Sequence, residues 1–142
     1  MRTSLVACLA VAAISVAGAA AAEVVHLTAK LDGASETPPN DSKGSGSAEV
    51  TLDTAGKKLT WTVRYAGLSG PATMAHFHGP APAGKAAGVT VPLTGSMVSP
   101  LKGSAILTDT QIGDLRGGLW YVNVHTAKFP GGEIRGQVLL PH

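Results

Sequence analysis

The sequence predicts an all-β domain, an immunoglobulin-like Greek-key β-sandwich or barrel of about eight antiparallel strands. Three observations carry that expectation. Apolar and polar residues alternate with a period of two through most of the chain after residue 22, the spacing of a strand with one buried face. No long apolar stripe of helical period competes with it. Among 142 residues, 18 glycines and nine prolines cut the alternation into short runs, as turns between short strands require.

The first 22 residues read as a signal peptide. Arg2 gives a positive start, residues 5–17 form a small apolar stretch, and Ala20-Ala21-Ala22 before Glu23 suits cleavage after Ala22. The stretch is short for a membrane span, which needs about 20 residues. Leu5-Val6-Ala7-Cys8 is a rival lipoprotein signal, but cleavage there would leave almost no apolar region before the cysteine. The expected domain is therefore 23–142, exported to the periplasm or secreted, with no membrane span in the mature chain.

Within that domain Val25, Leu27, Ala29 and Leu31 alternate with Val24, His26, Thr28 and Lys30. Residues 38–47, PPNDSKGSGS, read as a loop. Ala48, Val50 and Leu52 resume the pattern, a turn follows at Thr54-Ala55-Gly56, and Leu59, Trp61, Val63 and Tyr65 alternate with Thr60, Thr62 and Arg64. These two runs predict a hairpin. Short β-rich runs follow at 89–93 and 101–107. Residues 109–115 read as one or two helical turns, capped by Thr108 or Asp109 and stopped by Gly117-Gly118. Next, Trp120, Val122 and Val124 alternate with Tyr121, Asn123 and His125. Phe129-Pro130-Gly131-Gly132 reads as a turn, and Ile134 and Val138 then alternate with Glu133, Arg135 and Gln137. The last two runs are expected to pair, which gathers Asn123, His125, Glu133 and Arg135.

Composition excludes several chemistries. Cys8 is the only cysteine and falls within 1–22, so a mature 23–142 has no disulfide, thiolate metal site or thiol nucleophile. Removing 1–22 takes away one of 11 Lys and Arg and none of nine Asp and Glu, leaving a net charge of +1. The longest basic run is Lys57-Lys58 and aromatic residues are sparse, so no nucleic-acid surface is expected. There is no Gly-x-Ser-x-Gly elbow and no phosphate-binding loop. Asp32, Glu36 and Asp41 share one loop region without the makings of an acid/base pair. No catalytic residue is assigned, and the reading leans away from an enzyme.

Chemistry concentrates in MAHFHGPAPAG, residues 74–84. With Phe77 inward, His76 and His78 share the opposite face, because side chains two apart on a strand point the same way. His125 lies on the polar face of its own strand. Neighbouring strands are about 4.8 Å apart, so His125 on an adjacent strand would complete a three-histidine cluster. Three neutral imidazoles suit Cu(II), Zn(II) or Ni(II) and leave a position open. The expected ligands are His76, His78 and His125, holding one copper ion with zinc as second choice. Met74, if it shares the face of His76, favours copper, although packing is its commoner role. The bland alternative is a row of solvated strand residues. His26 reads as a surface residue and His142 as terminal. Glu133 has two readings: cross-strand or loop pairing, which we favour, or acceptance of an N–H from a metal-bound histidine.

HFHGPAPAG (76–84), YVNVHTAKFPGGEIRGQV (121–138) and Glu36-Thr37-Pro38-Pro39 together closely resemble the CHRD domain, a chordin-type domain found in exported bacterial proteins. The resemblance spans nearly all of 27–139 and implies an immunoglobulin-like β fold, without a defined activity. Its matching positions are His76, His78, Gly79, Pro80, His125, Thr126, Gly132, Glu133, Arg135 and Gly136. The H-x-H strand is also distantly similar to the copper strand of copper/zinc superoxide dismutases, but the histidine and aspartate zinc loop after the pair is missing. Three functions follow as expectations: a metal-binding module, a metal-free structural or protein-interaction module of the cell envelope, and, with least support, a copper redox enzyme.

Overall fold

A computed structural model describes residues 13–15, 18 and 21–142; most of the expected signal peptide lies outside the described residues. The elements are β1 (Val24–Asp32), β2 (Ser45–Asp53), β3 (Lys58–Ala66), β4 (Ala72–His78), β5 (Val89–Pro92), β6 (Leu101–Ile106), α1 (Asp109–Arg116), β7 (Tyr121–Thr126) and β8 (Ile134–Gln137). The strands form one antiparallel sheet, ordered β5-β4-β7-β8-β1-β2-β3-β6, that curls into a nearly closed barrel. The all-β expectation is met. No helix among the described residues is long and apolar enough to cross a membrane.

The order divides the sheet into two halves, β1-β2-β3-β6 and β5-β4-β7-β8, joined where Asp32 of β1 pairs with Arg135 of β8. The inward phase of both halves makes one core. Leu27, Leu31, Val50, Leu52, Leu59 and Val63 from the first half are buried with Phe77, Val122, Val124 and Ile134 from the second. The rings of Trp61 and Phe77 meet edge to face across it, 5.4 Å between centroids, and Phe77 also adjoins Trp120. Such a core suffices without disulfides, because burial of apolar side chains is the dominant favourable term in folding.

Two predicted hairpins are realised. Ala48 pairs with Val63 and Leu52 with Leu59 in β2–β3; Tyr121 pairs with Gln137 and Val124 with Ile134 in β7–β8. The helix has the expected cap: Thr108 Oγ1 accepts from the Gln111 N–H while the Gln111 side chain accepts from the Thr108 N–H. One expectation needs correction. Residues 45–47, read as loop, are the first three of β2, pairing with β1 on one side and with Arg64, Tyr65 and Ala66 on the other. Backbone pairing on both sides overrides their turn-forming composition. Gly46 is required there, since a Cβ would fall 2.7 Å from the carbonyl oxygen of Arg64.

Candidate metal centre

The site grows from the strand phase of β4 and β7. Ala75 and Phe77 point into the core, which sends His76 and His78 to the outer face; Val122 and Val124 do the same for Tyr121, Asn123 and His125. The register sets His76 opposite Asn123 and His78 opposite Tyr121. One ring nitrogen from each of His76, His78 and His125 lies within 4.8 Å of the others. His76 Nδ1 is 3.1 Å from His125 Nε2. The three expected ligand residues are thus brought together.

This outer face is not solvated. The β1–β2 loop and the β4–β5 loop fold over β7 and β8, and every residue of β7 is buried. Arg135, 1% exposed, lies over the Tyr121 ring at 3.4 Å from its centroid and donates to Thr37 Oγ1 and to the carbonyls of Pro82 and Lys85. Tyr121 stacks in turn on His78, with planes 3° apart. His76 keeps partial exposure, so the cluster is reached from its side.

Backbone carbonyls fix two of the rings. His125 Nδ1 is 2.8 Å from the oxygen of Pro130, and His78 Nδ1 is 3.0 Å from that of Ala87. A carbonyl oxygen only accepts, so each Nδ1 carries the proton and donates it. In the neutral ring Nε2 then holds a lone pair, the tautomer a metal requires, with the orienting contact that metal-bound histidines commonly have. Burial lowers the pKa of His76, and the neighbouring His125 and His78 lower it further. Burial also lowers that of His125, opposed by its Pro130 bond and aided by His78. Both effects favour neutral, ligating imidazoles.

The remaining candidates fall elsewhere. Glu133 does not orient a histidine; its carboxylate accepts from the Ser42 hydroxyl and from the backbone N–H and hydroxyl of Ser69, which is the loop-pairing role favoured above. Burial raises its pKa, but bonds from Thr126, Ser69 and Ser42 outweigh that and hold it below the usual carboxylate range. Met74 pairs in register with His125 and is exposed, not packed. His26 is exposed on β1 beside Thr51.

Sequence reasoning missed Glu36. This residue of the Glu-x-Pro-Pro element is 5% exposed and adjoins the site from behind. Burial raises its pKa from 4.5 to about 7 against the opposing pull of Arg135, the Thr37 N–H and Asn123. Gly132 makes room for it: a Cβ there would lie 2.3 Å from Glu36 Oε1 and 2.7 Å from Asn123 Nδ2. Only the motif itself could have signalled this, because the contact joins positions 36 and 132.

The model of the CHRD domain family matches residues 27–138, most of the chain. The chain belongs to the CHRD domain family. No curated protein and no solved structure matches it. In this CHRD domain all three histidines, Glu36, Asn123, Gly132 and Arg135 fall inside the matched span.

Proposed function

We propose that this protein is an exported CHRD-domain metal-binding protein that holds one copper ion, with zinc as second choice, through His76, His78 and His125. One observation carries the reading: three imidazole nitrogens converge within 4.8 Å, and two of those rings donate Nδ1–H to fixed carbonyls. The donor set fits. Metal–imidazole bonds run about 2.0–2.1 Å, so the 3.1 Å between His76 Nδ1 and His125 Nε2 is a separation that adjacent ligands of one ion adopt. All-nitrogen sites bind Cu(II) more tightly than Zn(II) in the usual order of divalent ions. Export is supported by the signal-like residues 1–22. The role is metal carriage, buffering or delivery, with no catalytic residue assigned.

Elemental analysis of the purified protein after Cu(II) loading and desalting tests this. The expected result is about one copper per chain, lost in the His76→Ala/His78→Ala/His125→Ala variant. Equal uptake by the two chains would overturn the site. No uptake by either would leave the metal-free interaction module as the better reading.

A further inference from the structure

Asn123 lies between the histidines and Glu36. Its Oδ1 is 3.0 Å from Nε2 of His78 and 3.0 Å from Nε2 of His125. Its Nδ2 and Glu36 Oε1 meet at Gly132, both within 2.7 Å of where a Cβ would stand, and Asn123 favours the ionised carboxylate. Glu36 Oε1 is buried without any protein partner.

A carboxamide has one accepting end and one donating end, and here the two ends answer to different neighbours. With both histidines protonated on Nδ1, their Nε2 atoms present lone pairs to Asn123. An oxygen facing two lone pairs is repelled unless a positive charge lies among them. Without a cation, the carboxamide is best placed with its NH2 toward the rings and its oxygen toward Glu36, which must then carry a hydrogen to donate. With a cation among the rings, the oxygen faces the positive charge and the NH2 faces Glu36, which is then best ionised.

We infer that Glu36 is a proton-linked positioning residue of the histidine site, losing its carboxyl proton to solvent when a divalent cation enters the cluster, with the Asn123 carboxamide turning over to couple the two events. The inference rests on the metal-binding reading above. The proton has a way out, because Glu36 lines a cavity of about 310 Å³ with Arg135 and Gln137 and a second of about 250 Å³ toward Gly132. The groups that bear on Glu36 are Arg135 from β8, Asn123 from β7 and the backbone of Thr37 from its own loop; Lys128 lines the second cavity. The pKa of about 7 makes the exchange relevant near neutrality.

Calorimetric titration with Cu(II) in buffers of different ionisation enthalpy counts the protons released per ion bound. At about pH 6 the wild-type protein is expected to release up to one proton more than Glu36→Gln, and at about pH 8.5 the two should match. Equal counts at both pH values, with copper bound by both chains, would overturn the linkage and leave the metal site standing. Failure of wild type to bind copper would overturn both. Should Glu36→Gln not fold, the Glu36 carboxyl carbon resonance of the wild-type protein decides the matter with diamagnetic Zn(II) at about pH 6. Movement to the ionised position on zinc binding supports the linkage; a carboxyl that stays protonated with zinc bound refutes it.

Discussion

Arg64 and Arg135 hold the same phase on two strands of one sheet, both directed away from the apolar core. Arg64, on β3, has a half-exposed side chain and a 3.5 Å ion pair with the exposed Glu49. Arg135, on β8, is buried under two loops, stacked on Tyr121 and bonded to three loop oxygens. In the β1-β2-β3-β6 half the outer face meets water, and burial alternates along each strand. In the other half the outer face of β7 and β8 is a second interior, and it is polar. Alternation states which residues leave the core; the length and reach of neighbouring loops decide what those residues meet. Between β2 and β3 the connection is a tight turn, whereas the β1–β2 and β4–β5 loops are long enough to fold back over β7 and β8. Polar side chains held dry in fixed positions are what a binding site needs, and that is where the histidines stand.

The sharpest way to break this comparison is to remove both arginines in turn. Arg135→Ala should cost about 3 kcal/mol in urea unfolding, because it leaves the Thr37, Pro82 and Lys85 oxygens of two buried loops without their donor and removes the stack on Tyr121. Arg64→Ala should cost less than about 1 kcal/mol, as exposed ion pairs do. Similar losses would mean that the covered face is not a second interior.

Adjacent glycines give a finer comparison. Gly132 has φ +128°, and a Cβ there would meet Glu36 Oε1 and Asn123 Nδ2. Gly132→Ala should cost about 2–3 kcal/mol through backbone strain and disruption of that contact. Gly131, where an added Cβ would meet nothing within 4 Å, should accept alanine within about 0.5 kcal/mol. Thermal melts of the two variants compare them directly.

The two buried carboxyls of the polar layer sharpen the comparison from within. Burial prevails at Glu36, whose pKa rises to about 7, while hydrogen bonds prevail at Glu133, whose pKa falls. The folded state thus binds the Glu36 proton more tightly than the unfolded chain, so its contribution is present below pH 4.5 and lost as pH rises through about 7. Wild type should lose about 3 kcal/mol relative to Glu36→Gln over that window. Glu133 acts in the opposite sense: its contribution is present above pH 4.5 and lost on acidification, and Glu133→Gln should remove it. Unfolding free energies measured from about pH 2 to 8 test both signs, Glu133 in the acid arm and Glu36 above pH 4.5.

Much of this was legible in local pattern. Period-two alternation placed Phe77, Val122 and Val124 inside and the three histidines outside, and the Phe129–Gly132 turn paired β7 with β8. The short helix followed from Thr108 and Gly117. What escaped depends on chain folding back from a distance: Ser45–Ser47 drawn into β2 by neighbours on both sides, Ser42 and Ser69 reaching Glu133, and Glu36 reaching Asn123 past Gly132. No local periodicity encodes those contacts, and their residues are the ones propensity assigns to loops.

The central claim is that three imidazoles hold one ion, and X-ray absorption at the copper edge of the Cu(II)-loaded protein tests it most directly. The account predicts about three nitrogen scatterers near 2.0 Å with the outer-shell signature of imidazole rings, absent from the triple histidine variant. An oxygen-only coordination shell, or a spectrum unchanged by that variant, would contradict it.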